Sequence, residues 1–486
     1  MKTPILGSSY VARSVNAADN RMVNLFPEVV PEGGKEPAFL NRCPGLSLLA
    51  TVGTGPIRGM WTNATEYLYV VSGDEFYRVS QNYTPTLLGT VDNTYGNPVS
   101  IADNGSSLFL ANIDTGYNYN YLTNTFQEIV DGDFPGAVTV DYLDGYFIFN
   151  KPGSNEIWYS TDGLTIDVDF QLANSSPDGV NSLMVSGDEI WIFGNTSTEI
   201  WYNAGNPGFP FAPVPGSYST TIGTASNYAV SKLDGSLFWL GQSAQGGLMV
   251  YRSEGYTGKR ISTHAVEWQM QQYLPTDVAA QVALSYSYQQ GGHSFFVLVF
   301  PNEDTTWVYD ASTQAWHERC GFANGEFVRH RGNCQAFWRN VLYGNLTVIG
   351  DYENGNIYAF DLETYEDNGE IQKWLRSWRA LHTGQNNLTR TAHHSLQLDI
   401  EAGVGTVGTG DPEIMLRWSD DGGHTWSNEL THTMGIGSLG EYGTRVIWRR
   451  LGMTTKLRDR VYEISGTDPV KIAIMGAEII MSPTNA

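Results

Sequence analysis

Hydrophobic and polar positions follow one another in short runs along this chain, and residues 141–205 contain one two-run unit twice. In each copy an Asp-Gly or Gly-Asp turn stands at the first run of β-branched and aromatic residues, and a polar loop leads to a second run. Such runs between turn-forming residues predict two β-strands in each copy. The tetrapeptide Glu-Ile-Trp-Tyr begins at Glu156 in the first copy and at Glu199 in the second. A repeat of about 43 residues is typical of the blades of a β-propeller.

The same unit can be followed through most of the chain. A strongly apolar run precedes an aromatic marker residue in each unit, and the last of these runs covers residues 341–343. We therefore predict an all-β fold with a propeller of about seven blades, whose closed ring leaves no long open sheet edge. Two consecutive β-sandwiches are the alternative for the same runs. The markers, spaced by 39 to 56 residues, are Tyr77, Tyr119, Trp158, Trp201, Tyr251, Trp307 and Tyr358.

The pattern changes at both ends of the chain. From about residue 370 the apolar runs become longer and lose the blade-length spacing, which predicts a separate C-terminal β-sandwich over residues 370–486. Residues 1–45 have almost no periodic apolar face and are predicted to form an irregular arm. The propeller is accordingly expected over residues 46–369.

Two inserts interrupt the predicted blades. Residues 206–215 contain four prolines, which exclude a central strand and predict a protruding loop. Residues 262–274 follow a Ser/Thr cap with helical spacing and are followed by Pro275, so they predict one short amphipathic helix. The apolar positions of that helix are Val266, Met270, Tyr273 and Leu274.

Composition and charge narrow the classes of function. Charged residues make up 16% of the 486 residues, below the roughly 25% of an average globular domain, and the formal net charge is −23. A surface of this sign does not grip phosphates, although DNA could pass close to it without specific binding. No apolar run approaches the roughly 18 residues of a membrane span, and the N-terminus lacks the features of a signal peptide.

The three cysteines, Cys43, Cys320 and Cys334, are odd in number and form no Cys-x-x-Cys motif. This pattern indicates neither a disulfide framework nor a zinc site, and it favours a reducing compartment. The adjacent His393 and His394 would point to opposite faces of a strand and could not bind one metal side by side. We therefore predict no metal and no cofactor.

One motif has enzymatic associations. Residues Ser419, Asp421, Gly423, Thr425 and Trp426 match the Asp-box, S-x-D-x-G-x-T-W, which is known from sialidases and other glycan-active proteins. It predicts a hairpin corner in which the aspartate binds backbone N–H groups and the glycines adopt positive φ. Asp-boxes lie away from sialidase active sites, so this motif predicts a structural turn and no catalytic residue.

A weaker copy of the motif lies at residues 160–165. A sialidase would need an arginine cluster at the propeller axis, and the blade region has few arginines in repeated positions. A glycan-active enzyme and a glycan-binding propeller stay open as alternatives. The blades differ too much at their polar positions to favour one repeated sugar pocket, and we predict that the protein is not an enzyme.

Two further groups are candidate assembly contacts. Val23, Leu25 and Phe26 lie in the arm and need burial, either against the sandwich of the same subunit or against an adjacent subunit. Basic residues gather at 445–460, in contrast to the acidic remainder of the chain. This group predicts a surface that meets an acidic neighbour or partner, with an ordinary solvated face as the alternative. Its candidate contacts are Arg445, Arg449 and Arg450.

Several motifs, in order along the chain, resemble the packaged-DNA-stabilisation proteins of short-tailed bacteriophages, which are also called tail accessory, tail hub or nozzle proteins. The resemblance begins in the arm with Asn-Arg-x-Val-Asn-Leu-Phe-Pro-Glu at residues 20–28 and Cys-Pro-Gly-Leu at 43–46. It extends over most of the chain. The other motifs lie at residues 55–60, 176–180, 193–202, 261–263, 308–312, 418–422 and 448–452.

The resemblance implies a structural virion protein. It would form a ring, with a hexamer as the expected stoichiometry, below the portal and its adaptor, and would be built in the host cytoplasm before it joins the virion. Such a ring closes the tail channel, retains packaged DNA, carries tailspikes or fibres and the tail plug, and conducts DNA at ejection. The low charge and high aromatic content suit large permanent interfaces.

Overall fold

The structure of this protein is a computed structural model. It describes all residues except 16, 64–65, 177, 216–220, 274–282, 386–388, 404–410, 436–441, 456–459 and 485–486. The regular secondary structure of the described residues consists almost entirely of short β-strands, which agrees with the predicted all-β class.

The N-terminal arm consists of short strands that have no sheet of their own. β2 and β3 pair only with each other, while the remaining arm strands add to sheets formed by distant parts of the chain. The strands of this segment are β1 (Lys2–Thr3), β2 (Tyr10–Val11), β3 (Asp19–Asn20), β4 (Met22–Val23), β5 (Leu25–Val29), β6 (Ala38–Arg42) and β7 (Gly45–Thr51).

The first four blades are antiparallel four-stranded sheets in chain order. Blade 1 contains β8 (Ile57–Thr62), β9 (Leu68–Ser72), β10 (Glu75–Val79) and β11 (Pro85–Thr90). Blade 2 contains β12 (Ser100–Asp103), β13 (Ser107–Asn112), β14 (Thr115–Asn120) and β15 (Thr125–Glu128). Blade 3 contains β16 (Val140–Leu143), β17 (Tyr146–Asn150), β18 (Glu156–Ser160) and β19 (Gln171–Leu172). Blade 4 contains β20 (Val180–Ser186), β21 (Glu189–Gly194), β22 (Thr198–Asn203) and β23 (Phe211–Pro213).

Three more blades complete the ring. Blade 5 contains β24 (Ile222–Thr224), β25 (Val230–Leu233), β26 (Ser236–Ser243), β27 (Leu248–Glu254) and β28 (Thr257–Arg260), and α1 (His264–Tyr273) follows it. Blade 6 contains β29 (Leu284–Gln290), β30 (His293–Phe300), β31 (Thr305–Asp310) and β32 (Ala315–Glu318). A small hairpin of β33 (Cys320–Ala323) and β34 (Glu326–Arg329) comes before blade 7. Blade 7 contains β35 (Gly332–Asn340), β36 (Gly344–Asp351) and β37 (Asn356–Asp361), and its fourth strand is β7.

The ring is closed by strands from opposite ends of the propeller sequence. β7 pairs antiparallel with β37, so that Gly45 lies opposite Asp361 and Thr51 opposite Asn356. Six of the seven aromatic markers lie in the third strand of their blades, and Tyr251 lies in β27, the third strand along the path β24-β26-β27-β28 of blade 5. The predicted seven-bladed propeller is therefore confirmed, and its last blade needs a strand from before the first.

Three local predictions concern residues 341–343, residues 206–215 and the single helix. Residues 341–343 were expected to form a strand, but they form the exposed turn between β35 and β36, where the Asn340 side chain accepts the backbone N–H groups of Leu342 and Tyr343. Within residues 206–215, Phe211–Pro213 is the outer strand β23 rather than part of a loop, and a proline is tolerated there because only one side of the strand is paired. The helix is present as α1, whereas Leu274 and Pro275 lie outside the described residues.

The C-terminal region is a sandwich of two sheets around a core rich in tryptophan, including Trp374, Trp378 and Trp448. One sheet has the order β44-β41-β46-β6-β5, with β1 added to β46. The other contains β40, β45, β42 and β43. The strands of this region are β40 (Trp374–Arg379), β41 (Thr391–Ile400), β42 (Glu413–Ser419), β43 (Leu430–Thr433), β44 (Ile447–Arg449), β45 (Val461–Gly466) and β46 (Ala473–Pro483). The short strands β38 (Glu366–Asp367) and β39 (Glu370–Ile371) belong to the sheet of blade 7, where β38 pairs in parallel with β7.

Strand β4 of the arm connects the two regions. It pairs in parallel with β32 of blade 6 on one side and antiparallel with β40 of the sandwich on the other. Blade 6 and one sandwich sheet thereby form a single nine-stranded sheet. The arm thus lies at the junction of the propeller and the sandwich.

Candidate functional site: the arm junction and the Asp-box turn

Asn24 is the central polar residue of the junction. It is fully buried and has a φ of 52°, a left-handed conformation that asparagine adopts more readily than most residues. Its side-chain Nδ2 donates to the carbonyl oxygens of Cys320 (2.8 Å) and Lys373 (2.7 Å), and its Oδ1 accepts the N–H of Cys320 (3.0 Å). Its backbone N–H donates to the Glu318 carbonyl, and its carbonyl accepts the N–H of Cys43. One side chain therefore joins the arm, the propeller and the segment leading to the sandwich.

An ion pair lies beside this residue. Arg21 binds Glu318 of blade 6 with Nε to Oε1 at 2.9 Å and Nη2 to Oε2 at 2.7 Å. The attraction of Glu318 raises the pKa of Arg21 above its ordinary value. The backbone N–H of Arg21 donates to Oγ of Ser377 in the sandwich at 2.8 Å. The paired guanidinium has a defined geometry because its Nε and Nη2 bind both carboxylate oxygens of Glu318.

A second buried cation, Arg42, binds backbone rather than carboxylates. Its guanidinium donates to the carbonyls of Val470 (2.9 Å) and Tyr365 (2.9 Å), among other acceptors. Burial lowers its pKa to about 10. Nearby Asp367 is fully buried, and burial raises the pKa of its carboxyl to about 6. The stability of this part of the junction therefore depends on whether the Asp367 carboxyl is protonated.

The three apolar arm residues that were candidate assembly contacts are buried inside their own chain. Val23 packs with Cys320 and Leu375 between the two regions, while Leu25 belongs to the sandwich core. Phe26 belongs to a propeller core cluster. Val23, Leu25 and Phe26 are 0%, 0% and 8% exposed, so their side chains leave almost no surface for a neighbouring subunit.

The Asp-box residues form the expected hairpin corner. Thr425 donates its N–H to Asp421 Oδ1 at 2.9 Å and its hydroxyl to Oδ2 at 2.6 Å. Ser419 donates its hydroxyl to Asp421 Oδ1 at 2.6 Å and accepts the N–H of Gly423 at 2.8 Å. The hydrogen bond from Ser419, followed by those from Thr425, holds the pKa of Asp421 well below its usual range. Gly423 has a φ of 100°, as the turn requires.

This turn packs against the arm. A Cβ atom on Gly423 would collide with the side chains of Asp19 and Val15. Trp426 is half-buried and lies under the guanidinium of Arg417, 4.7 Å from ring centroid to Cζ. The turn therefore supports the arm mechanically, and its carboxylate is engaged in hydrogen bonds within the turn.

The weaker copy at residues 160–165 adopts similar geometry in blade 3. Asp162 Oδ1 accepts the N–H groups of Leu164 (2.8 Å) and Thr165 (2.7 Å). Ser160 accepts the N–H of Gly163 at 2.8 Å. Both copies of the motif thus act as braces of a turn.

The basic C-terminal residues divide into exposed and buried ones. Arg445, Arg449 and Arg450 are exposed, and Arg445 donates to the side-chain oxygen of Gln397 at 2.6 Å. Arg460 is buried and binds Asp420 through Nε (2.7 Å) and Nη2 (2.9 Å). Lys456 and Arg458, in the same stretch, lie outside the described residues. The exposed candidates for an assembly contact are therefore Arg445, Arg449 and Arg450.

The described inner strands of the blades hold three basic residues, whereas a sialidase would need an arginine cluster at the propeller axis. In the described inner strands the basic residues are Arg58, Lys232 and Arg339. Arg58 is buried and donates to backbone carbonyls and to Asn112, whereas Lys232 pairs with Asp141 at 2.9 Å. Arg339 is exposed near the C-terminal end of β35. These three residues lie in three different blades, and each has a different environment.

The part of the chain that the structure describes holds no group of three or more His, Cys, Asp or Glu arranged for a metal ion. His393 is buried and bonds the Tyr462 hydroxyl at 2.7 Å, while His394 is exposed and bonds Ser482. No helix among the described residues has the length and apolar character to cross a membrane.

Asn24 and Arg42 were not singled out from the sequence as site residues. Both lie within or beside the arm motifs that carry the family resemblance. Their roles depend on carbonyl groups of residues about 300 positions away, and such acceptors leave no compositional signal. The positive φ of Asn24 is the one local feature that a turn-favouring asparagine could have indicated.

Two protein-family models together match nearly the whole length of the chain. A family model described as "Bacteriophage P22 Gp10, beta-propeller" matches residues 1–365, and one described as "Bacteriophage P22 Gp10, beta-sandwich" matches residues 373–482. No curated protein sequence matches the chain.

Solved structures with a similar arrangement are distant in sequence. A chain in S. cerevisiae Dbp5 bound to Nup159 and Gle1 has 8% identity and a TM-score of 0.40, with 69% of this chain and 98% of that chain covered. A chain of the mitotic checkpoint complex has 12% identity and a TM-score of 0.38, with 69% and 97% covered. The β-propeller domain of Myceliophteria thermophila Cps50 (Swd1) has 9% identity and a TM-score of 0.42, with 65% and 98% covered.

Proposed function

This chain belongs to the bacteriophage P22 Gp10 family of phage tail structural proteins, and we propose that its copies close into a ring, a hexamer, below the portal and adaptor of a short-tailed phage. In that position the ring would close the tail channel, retain packaged DNA and conduct it at ejection. It would also anchor tailspikes or fibres and the tail plug. Assembly would begin in the host cytoplasm, and the mature location would be the virion tail.

The observation that carries the proposal is the agreement of both family matches with the two-part architecture. The propeller match and the sandwich match together span nearly all of the chain, in the order in which the structure has the two regions. A protein that holds pressurised DNA has to transmit force between its parts. The buried polar contacts of Asn24 and the pairing of β4 with both regions support this role because they join the two regions without a free linker.

Surface charge supports a channel that does not retain DNA by binding. The chain has 51 acidic and 28 basic residues, so a ring of such chains would be strongly acidic overall. DNA near an acidic wall gains no counterion-release energy and is not held there. The exposed arginines Arg445, Arg449 and Arg450 are instead proposed to meet an acidic surface of a neighbour or a tail partner.

We propose that the protein has no hydrolytic activity. The Asp421 carboxylate is engaged by Ser419 and Thr425, and the described inner strands do not bring three arginines together. Asp421 is unsuited to be a general acid because that role needs a raised pKa, whereas hydrogen bonds lower the pKa of this carboxyl. These observations support the structural role over the glycan-active one.

The test is reconstitution with packaged phage heads that lack this protein. Addition of the purified chain should give ring-shaped densities at the portal vertex by electron microscopy and should protect the packaged DNA from nuclease. Heads that remain leaky after the chain has bound would contradict DNA retention. Binding without a ring would contradict the proposed assembly.

A further inference from the structure

A cavity lies where the first residues of the arm cross the sandwich. Its volume is about 480 Å³, and its walls include Pro4, Leu6, Gly7, Ala18 and Leu381. The walls combine apolar with polar surface, and Arg376, Arg379 and His382 also reach the cavity. A space of this size is within the range of binding sites for small ligands or for one or two side chains.

Arg376 has few partners for a buried cation. The residue is 1% exposed. Its Nε donates to the Ile5 carbonyl at 2.7 Å. Its Nη1 donates to the Arg21 carbonyl across a long distance of 3.5 Å. Among the described residues, Nη2 has no hydrogen-bond acceptor and no carboxylate lies within ion-pair distance of the guanidinium. Burial alone lowers the pKa of Arg376 to about 10.

Three other buried arginines of the chain have more acceptors than Arg376, whereas Arg319 and Arg329 each leave one nitrogen without an acceptor. Arg460 binds both carboxylate oxygens of Asp420. Arg42 and Arg58 each donate to several carbonyl or amide oxygens. A buried guanidinium without an anion is costly, because desolvation is not offset by a partner. Arg376 therefore differs from Arg42, Arg58 and Arg460, because it lines a cavity and has donor capacity unused.

The cavity is open to an approaching chain. Ala17, His382, Thr383 and Gly384 are exposed at its mouth. Gly7 lies over the guanidinium, and a Cβ there would come 3.9 Å from Nη2, so the glycine leaves the fork uncovered. A second hollow of about 550 Å³ shares Pro4, Leu6 and His382 with the first. The two hollows thus form a groove on both sides of the N-terminal segment.

We propose that this cavity binds an aspartate or glutamate side chain on an extended segment of another tail protein. The planar guanidinium fork matches a carboxylate in two parallel hydrogen bonds, and the apolar walls match the methylene groups and neighbouring side chains of a peptide. An inorganic ion would leave most of the cavity empty. Duplex DNA is too wide to enter it and would be repelled by the acidic chain.

This site goes beyond the proposed ring function and can be tested on the isolated full chain. The probe is the peptide acetyl-Gly-Glu-Leu-Gly-amide, compared by titration calorimetry with the same peptide carrying Gln. The Glu peptide is expected to bind at least about tenfold more tightly, since charge-assisted hydrogen bonds are lost with Gln. Equal binding of the two peptides, or binding of neither, would overturn the proposal, whatever the state of ring assembly.

Two variants locate the binding. Arg376→Met removes the guanidinium, and Ala17→Trp fills the mouth without altering Arg376; both are expected to weaken Glu-peptide binding by roughly tenfold or more. Ala244→Trp is the matched control, because Ala244 is exposed in a loop of blade 5, and it should leave binding unchanged. If Arg376→Met does not fold, Ala17→Trp still decides the question. Unchanged binding in Ala17→Trp, or inorganic phosphate that competes as well as the peptide, would contradict a peptide site.

Discussion

Leu25 and Phe26 are consecutive residues of one strand, yet their side chains are buried in two different hydrophobic cores. Leu25 lies in the sandwich core with Trp374 and Ile464, and Phe26 lies in the propeller core, where its ring is 4.9 Å from His293. Successive side chains of a strand point to opposite faces, so a single strand can fill both cores. The arm therefore couples the stability of the two regions directly.

Asn24→Ala should destabilise the junction strongly. The change removes three side-chain hydrogen bonds, leaves the N–H of Cys320 without its acceptor and places alanine at a φ of 52°. We expect a loss of about 3 kcal/mol in the free energy of unfolding, measured by urea denaturation followed by tryptophan fluorescence. Asn345→Ala, at an exposed position in the β35–β36 hairpin, is the control and should change stability by less than about 0.5 kcal/mol. Equal effects of the two changes would contradict the central role of Asn24.

Asp421→Ala should affect stability and not catalysis. Loss of the bonds to Ser419 and Thr425 is expected to cost about 1 to 3 kcal/mol. The matched change Asp162→Ala tests the second copy of the motif in blade 3. Neither the wild type nor the variants should cleave sialosides or host polysaccharide. Cleavage by wild type that is lost on mutation of an acidic residue at the propeller axis would show an enzyme.

Asp367 should give the stability of the protein a pH dependence between about pH 4 and 6. Its folded pKa of about 6 lies above the ordinary value near 4, so the folded state binds the proton more tightly than the unfolded state. The free energy of unfolding therefore falls as pH rises through this window. Asp367→Asn should lack this contribution and gain stability relative to wild type between pH 4 and 7, by roughly 1 to 3 kcal/mol. Denaturation curves for the two proteins that stay parallel across this range would contradict the shift.

Asp421 should act in the opposite direction. Its pKa is held below the unfolded value, so its stabilising contribution is present above about pH 4 and is lost as pH falls further. Comparison of wild type with Asp421→Asn between pH 2 and 6 separates this effect from that of Asp367. The difference in stability should shrink at the acidic end.

Two truncations separate the functions of the N-terminal segment. Removal of residues 1–40 deletes β1 to β5 but leaves β7, so the propeller should remain closed while the sandwich loses strand partners. Removal of residues 1–51 also deletes β7 and should open blade 7. Limited proteolysis should therefore show a resistant propeller after removal of residues 1–40 but not after removal of residues 1–51. Packaged heads supplied with that truncation should lose their DNA, and stable infectious particles would show that the arm is dispensable.

Reversal of the exposed C-terminal charges tests the proposed assembly surface. Replacement of Arg445, Arg449 and Arg450 by Glu should leave the fold intact because all three are exposed. Incorporation into tails should decrease, and wild-type incorporation should weaken with salt if the pairs are at the rim of the interface. Lys259→Glu, at an exposed position in blade 5, provides a control for a change of net charge. Unaltered incorporation of the triple variant would assign these arginines to a solvated face.

Features that repeat along the chain, or that involve residues close together in sequence, could be predicted from the sequence. Trp158 donates its indole N–H to Glu156 at 3.0 Å, and Trp201 donates to Glu199 at the same distance. Residues two apart in a strand lie on one face, so this repeated bond is local, and the repeat length then indicates the blades. The Asp-box turn is local in the same sense.

The role of the arm depends on contacts that form only in the folded protein. Most arm strands have two to five residues and are too short to show a period, and the partners of β4 and β7 are far away in sequence: β4 pairs with β32 and β40, and β7 with β37. The sequence could not show that Leu25 and Phe26 enter different cores, or that Arg376 is buried without an anion. These properties arise when segments about 300 residues apart meet, because the free energy of a buried group depends on the surroundings that folding brings to it.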